Sequence, residues 1–230
     1  MSNKGKLFVV ATPIGNLQDF TFRAVETLKS VHCIFAEDTR TSKKLINHYD
    51  IDTELYSYHD HSSEKEIARL LDFLKDKKDV ALISDAGTPT ISDPGYSLIR
   101  ECISEGIDVV PIPGASALTA AISASGLPSD AFTFIGFLPA KKGRQKKISY
   151  LENLDTTLVL FESPHRLLKT LNQLREALGE RPIVIARELT KLYEEIIRGS
   201  FSDAIKYFEA KKIKGEIVIM IGKNDDRIHF

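Results

Sequence analysis

Apolar residues follow two different spacings along the first half of the chain. Continuous apolar runs, such as residues 6–11 (KLFVVA) and 80–83 (VALI), are typical of strands buried on both faces of a sheet. Between such runs, apolar positions recur every three or four residues, as at Phe22, Val25 and Leu28, which predicts amphipathic helices. This alternation of strands and helices predicts a parallel sheet covered on both faces.

The clearest predicted helix is residues 62–78. Ser62 or Ser63 is suited to its N-cap, acidic residues fill its first turn, and leucines recur on one face. The other helices predicted in this half are residues 21–31, 42–49 and 95–106, and the predicted strands are residues 6–11, 33–37, 53–58, 79–84 and 107–114.

The pattern changes near Gly114, after which the predicted strands lie closer together in sequence. Residues 181–188 and 193–200 are separated by a short turn, which predicts antiparallel pairing. We therefore predict two α/β domains, residues 1–114 with a mostly parallel sheet and residues 115–230 with a mixed sheet. The remaining strands of the second half are predicted at 131–137, 156–162 and 215–222, and its helices at 115–126, 164–178 and 200–212.

The net charge of −1 gives the chain no overall attraction to nucleic acid or anionic membranes. Residues 140–147 (AKKGRQKK) are the exception, with five basic residues and no acid. Such a segment is either a solvated loop or a site that contacts phosphate groups, and composition does not decide between them.

The cysteines, the histidines and the lengths of the apolar runs indicate buried thiols and argue against a metal site and a membrane-spanning helix. Cys33 and Cys102 lie in apolar contexts, so we expect buried thiols in a reducing cytosol. His59 and His61 have no third ligand at a fixed spacing, which disfavours a metal site. No run of ~18 apolar residues is present, and we expect a soluble cytoplasmic protein.

Three loops rich in glycine and proline each follow a predicted strand: residues 12–16 (TPIGN), 84–89 (SDAGTP) and 111–118 (PIPGASAL). In an open parallel sheet, the loops beyond the carboxyl ends of the strands form the ligand crevice. None of the three matches the GxGxxG or GxxxxGK[ST] pattern, so they do not predict a classical dinucleotide or P-loop site. The alternative is that these three loops only turn the chain and bind no ligand.

Carboxylates also stand at the ends of predicted strands: Glu37, Asp38, Asp85, Glu162 and Glu188. At a crevice, a carboxylate accepts hydrogen bonds from ribose hydroxyls or attracts a cation. The alternative is a helix cap or a salt bridge, and Asp38 directly precedes a predicted helix.

Seven segments, in order along the chain, resemble one enzyme family. They are LFVVATPIGNLQDFTFRAVETLKSV, AEDTRTSKKLI, SDAGTPTISDPG, PIPGASALTAAISASGLP, FIGFLP, FESPHRL and ARELTKLYEEIIRG. The chain thereby resembles the tetrapyrrole-methylase-like, class III S-adenosylmethionine-dependent methyltransferases, and among them the 16S rRNA (cytidine-2′-O)-methyltransferases. The resemblance runs from about residue 6 to residue 222.

This resemblance implies that the methyl donor, S-adenosylmethionine, binds in a cleft between the two α/β domains. The residues that it implies for the methyl donor belong to loops at strand ends and at the start of the second domain. They are Thr12, Pro13, Asp85, Ala86, Gly87, Thr88, Ser116, Ala117, Phe137, Leu138, Glu162, Glu188 and Leu189.

The reaction implied by the resemblance is methyl transfer to the ribose 2′-hydroxyl of a cytidine in the decoding centre of the small ribosomal subunit. A hydroxyl is a poor nucleophile, so a base or a nearby cation assists. The candidates are Glu162, Glu188, Lys191, Arg166 and Asp85, and the sequence does not choose among them.

The resemblance also implies a homodimer that contacts 16S rRNA and needs no metal. The residues predicted to contact RNA are Arg40, Lys141, Lys142, Arg144, Lys146 and Lys147. Two alternatives stay open: methylation of a tetrapyrrole or corrinoid precursor, and an RNA-binding assembly factor without catalytic activity.

Overall fold

A computed structural model describes residues 4–59, 64–225, 227–228 and 230. The chain divides into two compact units, Met1–Ser116 and Ala117–Phe230. The predicted N-cap at Ser62 or Ser63, and His61 of the histidine pair, lie outside the described residues.

The first unit contains a five-stranded sheet in the order β3-β2-β4-β1-β5, and all four strand pairings are parallel. The prediction of a parallel sheet is confirmed. The strands are β1 (Leu7–Val10), β2 (Cys33–Ala36), β3 (Glu54–Ser57), β4 (Val80–Ile83) and β5 (Val109–Ile112), and the helices are α1 (Phe22–Ser30), α2 (Thr39–His48), α3 (Glu64–Lys75) and α4 (Tyr96–Ser104).

Apolar side chains are buried on both faces of this sheet. Ile34 and Ala81 belong to a cluster with α1 and α2, whereas the neighbouring Cys33 and Leu82 belong to a cluster with α3 and α4. This alternation explains why the inner strands β1, β2 and β4 are continuous apolar runs. The predicted burial of both thiols is confirmed, and burial raises the pKa of Cys33 and of Cys102 to about 12.

The second unit contains a five-stranded sheet in the order β6-β7-β10-β8-β9. β6 and β7 are parallel and the other pairings are antiparallel, so the predicted mixed sheet is confirmed. The strands are β6 (Phe132–Phe137), β7 (Thr157–Glu162), β8 (Pro182–Arg187), β9 (Glu195–Ser200) and β10 (Ile217–Ile221), and the helices are α5 (Ala117–Ser125), α6 (Arg144–Glu152), α7 (Leu167–Leu178) and α8 (Phe201–Glu209).

Helix α6 is absent from the sequence prediction, which treated residues 140–147 as a basic loop. The helix begins at Arg144, after Gly143 in the left-handed conformation (φ 82°). Ile148 and Leu151 are its buried apolar residues, and two such positions give a weak periodic signal. Together with α7 and α8, this helix covers the apolar core of the second unit.

Across the described part of the chain, every helix is too short or too polar to span a lipid bilayer.

Candidate functional site

The three glycine- and proline-rich loops of the first unit meet at the carboxyl ends of β4, β1 and β5, which are neighbours in the sheet. Thr12 N donates to Gly87 O (2.8 Å), and Gly87 N donates to Thr12 O (3.0 Å). The buried Thr12 Oγ1 also donates to Ser84 O (3.1 Å), and Thr88 Oγ1 donates to Ala115 O (3.2 Å). The predicted convergence of these loops is confirmed.

Two glycines allow the loops to pack so closely. Gly87 has a φ of 81°, and a Cβ placed there would lie 3.3 Å from Ile14 Cγ2. At Gly114, a Cβ would lie 3.0 Å from the Cβ of Ala11. A side chain at Gly87 would therefore crowd Ile14, and one at Gly114 would crowd Ala11.

The chemistry of these loops suits a ligand that donates hydrogen bonds or carries positive charge. Residues 12–16, 84–89 and 111–118 contain no lysine or arginine, so they offer no side-chain cation to a phosphate. Asp85 and Ala86 are exposed, and Asp85 supplies a carboxylate. The partly exposed residues of the predicted set here are Pro13, Thr88, Ser116 and Ala117.

The loop after β4 also carries backbone strain that the sequence does not reveal. Thr90 has a φ of 74° and Ser92 a φ of 66°, both in the left-handed region that side chains disfavour. Gly95, with a φ of 132°, then precedes the first residue of α4. Strained non-glycine residues persist where the surrounding structure fixes them, often beside ligand sites.

Asp38 has the structural role that its position before a helix predicts. Its carboxylate accepts a hydrogen bond from Arg40 N (2.8 Å) and from the Arg40 guanidinium (2.8 Å to Nη2), which lowers the pKa of Asp38 to about 2. Asp38 N donates to Asp85 Oδ1 (3.0 Å), so the loops after β2 and β4 are joined. The Arg40 side chain is 90% exposed.

Glu162, at the end of β7, lies in the interior of the second unit with 2% of its surface exposed. Oε1 accepts hydrogen bonds from Arg166 Nε (2.7 Å) and Ser163 N (2.8 Å), and Oε2 accepts one from Thr170 Oγ1 (2.6 Å). Arg166 Nη2 donates in turn to Leu138 O (3.0 Å). Both oxygens of Glu162 thus hold the turn that leads into α7.

Arg144, which the sequence predicts to contact RNA, instead extends this network inward and is buried. The residue is 6% exposed. Its guanidinium donates to Thr170 Oγ1 (2.7 Å), Gln173 Oε1 (2.8 Å) and Pro139 O (3.2 Å). Burial lowers the pKa of Arg144 from its ordinary value. We name Glu162, Arg166, Thr170 and Arg144 the α6–α7 network.

Glu188 and Lys191 form a second paired site, in the loop after β8. Glu188 Oε1 accepts hydrogen bonds from Lys191 Nζ (2.9 Å) and Glu216 N (3.0 Å). Partial burial tends to raise the pKa of Glu188, but these hydrogen bonds hold it below its ordinary value. Burial tends to lower the pKa of Lys191, but the Glu216 and Glu188 carboxylates raise it. Gly215 has a φ of 86°, and a Cβ there would lie 2.3 Å from Glu188 Cδ, so a side chain at this position would displace the Glu188 carboxylate.

The remaining predicted residues of the second unit differ in exposure. Phe137 is 55% exposed, whereas Leu138 (2%) and Leu189 (9%) are buried. Lys141, Lys142 and Lys146 are exposed. Lys147 is partly buried, with its Nζ 5.2 Å from the centre of the Tyr150 ring, and Tyr150 itself is 54% exposed.

Among the described residues, no group of three or more histidine, cysteine, aspartate or glutamate side chains is placed to hold a metal ion.

Comparison with known proteins agrees with this architecture. Residues 6–205 match the family model described as Tetrapyrrole (Corrin/Porphyrin) Methylases. The chain is 50% identical over 227 residues to a protein of Halalkalibacterium halodurans named ribosomal RNA small subunit methyltransferase I, covering 98% of this chain and 78% of that protein. A Thermotoga maritima protein of the same name is 50% identical over 217 residues, covering 94% of this chain and 98% of that protein.

Among solved structures, a cobalamin biosynthetic enzyme, cobalt precorrin-4 methyltransferase, has the same fold. Its TM-score is 0.70 at 20% identity, covering 94% of each chain. The predicted fold is therefore confirmed. The chain belongs to the tetrapyrrole (corrin/porphyrin) methylase family of S-adenosylmethionine-dependent methyltransferases.

Proposed function

We propose that this enzyme transfers the methyl group of S-adenosylmethionine to the 2′-hydroxyl of a cytidine ribose in the RNA of the small ribosomal subunit. The observation that carries the proposal is the 50% identity, over nearly the whole chain, to proteins named ribosomal RNA small subunit methyltransferase I. The position of the methyl group and the identity of the nucleoside rest on the resemblance described above.

The converging loops of the first unit fit the methyl donor. S-adenosylmethionine carries a sulfonium, an ammonium and ribose hydroxyls but no phosphate, which matches loops with one exposed carboxylate and no side-chain cation. Thr12, Pro13, Ala86, Gly87 and Thr88 would line its site through small side chains and the backbone, and Asp85 would accept hydrogen bonds.

We also propose that the methyl donor contacts Ser116, the last residue of the first unit, and Ala117, Phe137, Glu188 and Leu189, as the resemblance implies. We assign Leu138 and Glu162 a positioning role instead, because the Leu138 carbonyl and the Glu162 carboxylate are engaged by Arg166.

When bound, S-adenosylmethionine would supply an electrophilic methyl group to the ribose 2′-oxygen. The electron pair of the broken carbon–sulfur bond would remain on sulfur, and the hydroxyl proton would pass to solvent water. The chain's main contribution is alignment of the two reactants. The Lys191 ammonium, with its raised pKa, serves as a nearby cation rather than as a base. The lowered pKa of Glu188 makes that carboxylate a weak base.

We propose that Lys141, Lys142 and Lys146 contact phosphates of the RNA, with Lys147 and the exposed Arg40 as further contacts. By the same resemblance, the enzyme is a homodimer that acts in the cytoplasm. Two copies would double the basic surface presented to the subunit.

The test is transfer of tritiated methyl from S-adenosylmethionine to small ribosomal subunits that lack the modification, followed by nucleoside analysis. We expect label in 2′-O-methylcytidine. Uroporphyrinogen is assayed in parallel, because the family model bears the name of tetrapyrrole methylases. Label in uroporphyrinogen and none in RNA would overturn the proposal.

A further inference from the structure

A second recess in the first unit lies beside the converging loops and shares Asp85 with them. It is a cavity of about 450 Å³, and the residues that line it include Glu37, Asp38, Ser57, His59 and Asp85. Ser57 Oγ lies 2.9 Å from His59 Nε2. The cavity therefore presents carboxylates, a hydroxyl and an imidazole together, within a single unit of the chain.

Its position follows from the order of the sheet. Glu37 follows β2, Ser57 ends β3 and Asp85 follows β4, and these strands are neighbours in the order β3-β2-β4-β1-β5. The cavity thus lies at the carboxyl edge of the parallel sheet, where open α/β sheets bind ligands. The converging loops occupy the other half of the same edge, after β4, β1 and β5.

The loop after β4 is common to both places. Asp85 lines the cavity, whereas Gly87 and Thr88 hold the loops after β1 and β5. Neighbouring strands in a sheet are about 4.8 Å apart, so a group over β2 lies within roughly 10 Å of one over β1. Methyl transfer requires the acceptor beside the methyl donor, and at this spacing two bound molecules of nucleoside size are neighbours.

The lining indicates what kind of group the cavity accepts. Glu37, Asp38 and Asp85 give it three carboxylates against one guanidinium, that of Arg40, which is already paired with Asp38. Such a lining repels phosphate and favours groups that donate hydrogen bonds. A nucleoside offers ribose hydroxyls, and cytosine adds an exocyclic amino group, for which Glu and Asp are the matching acceptors.

We propose that this cavity binds the nucleoside that receives the methyl group, with Glu37 and Asp85 accepting its hydrogen bonds and His59 beside them. This inference rests on the proposed function and deepens it. The phosphates of the RNA are then bound outside the cavity, by the lysines of residues 141–147.

The test uses Glu37→Gln and His59→Gln in the full-length enzyme, with Glu26→Gln as the matched control. Glu26 is an exposed glutamate on α1, away from the cavity lining. For each variant, kcat/KM for small ribosomal subunits is measured by methyl transfer, and the Kd for S-adenosylmethionine is measured by calorimetry. We expect both cavity variants to lose at least tenfold in kcat/KM while the Kd stays within twofold, and the control to change neither.

Two results would overturn the inference alone. One is activity of both cavity variants equal to that of Glu26→Gln. The other is a Kd for S-adenosylmethionine that rises in step with the loss of activity in both variants, which would assign the cavity to the methyl donor. Failure of the unsubstituted enzyme to methylate subunits would instead overturn the proposed function, and this inference with it.

Discussion

Asp85 and Glu162 are both carboxylates at the end of a buried strand, yet their surroundings are opposite. Asp85 is exposed, accepts one hydrogen bond from Asp38 N and lines a cavity. Glu162 is 2% exposed and accepts hydrogen bonds on both oxygens. The first is available to a ligand, whereas the second holds the fold of its unit together.

The length of the segment that follows each strand explains the difference. After β4, the chain runs from Ser84 to Gly95 before α4 begins at Tyr96, which leaves a broad loop above the sheet edge. After β7, α7 begins at Leu167, so Glu162 lies against the first turn of the helix. A carboxylate in so short a turn is hydrogen-bonded by the helix that follows it.

The largest effect that we expect is the loss of stability in Glu162→Ala. The substitution leaves Thr170 and the partly buried Arg166 without their carboxylate partner, and removing one member of a buried pair costs about 3–5 kcal/mol. The matched variant Asp85→Ala removes one hydrogen bond at an exposed site, for which we expect a loss of about 1 kcal/mol. Urea unfolding of both variants measures the two losses in the free energy of unfolding.

The substitution Glu162→Gln tests whether Glu162 has a structural role, as we propose, or a catalytic one. Glutamine keeps the size of the side chain and one acceptor oxygen, so we expect a part of the stability loss and a proportionate loss of methyl transfer. Full stability together with abolished transfer would instead make Glu162 the catalytic base, as the sequence allowed.

Much of the fold follows from sequence periodicity, because burial on both faces leaves a direct mark on composition. The three inner strands of the first unit, β1, β2 and β4, are apolar on consecutive residues, and the helices between the strands are apolar at intervals of three and four. The convergence of the loops near Thr12, Gly87 and Ala115 also follows, since parallel strands end at one edge of a sheet.

The roles of charged residues cannot be predicted from the sequence, because they depend on partners that are distant along the chain. Arg144 stands among exposed lysines, but its guanidinium binds Thr170 and Gln173, which lie 26 and 29 residues further along the chain. Glu37 lines a cavity completed by side chains of other strand ends. Residue type and local spacing do not distinguish a charge that holds the fold together from one that lines a cavity.

A second consequence concerns Glu195, another paired carboxylate of the second unit. Partial burial tends to raise the pKa of Glu195, but Lys211, Tyr207 and Arg187 donate hydrogen bonds to the carboxylate and lower the pKa to about 2. A lowered folded-state pKa stabilises the protein above the unfolded value of 4.5, and this stability is lost as the pH falls towards 2.

We therefore expect Glu195→Gln to cost about 2 kcal/mol at pH 7, a value discounted for the half-exposed Lys211. The difference from the unsubstituted protein shrinks as unfolding is measured at pH 4 and then pH 3. Glu209→Gln, at an exposed glutamate of α8, is the control and keeps a constant difference. An unchanged gap at pH 3 for Glu195→Gln would contradict the pairing.

The role of the converging loops in binding the methyl donor is tested by Gly87→Ala, and Gly106→Ala is the matched control. Both glycines have positive φ (81° and 66°), so alanine strains the backbone at each by about 1 kcal/mol. Only at Gly87 does the added Cβ approach another loop, at Ile14, whereas nothing lies within 4 Å at Gly106. We expect similar melting temperatures, but about tenfold weaker S-adenosylmethionine binding for Gly87→Ala alone.

Equal binding of S-adenosylmethionine by the two glycine variants would separate the converging loops from the methyl donor. The converging loops would then have only a structural role, which is to hold the ends of β4, β1 and β5 together.

The smallest expected effect concerns the basic segment, where exposed and buried cations stand side by side. Lys142→Glu combined with Lys146→Glu reverses two exposed charges, and we expect a several-fold loss of subunit methylation that grows as salt is lowered. The control, Lys206→Glu with Lys212→Glu, makes the same charge change on exposed lysines of α8 and the loop after it. Equal losses in the two double variants would show that net charge, rather than this segment, attracts the RNA.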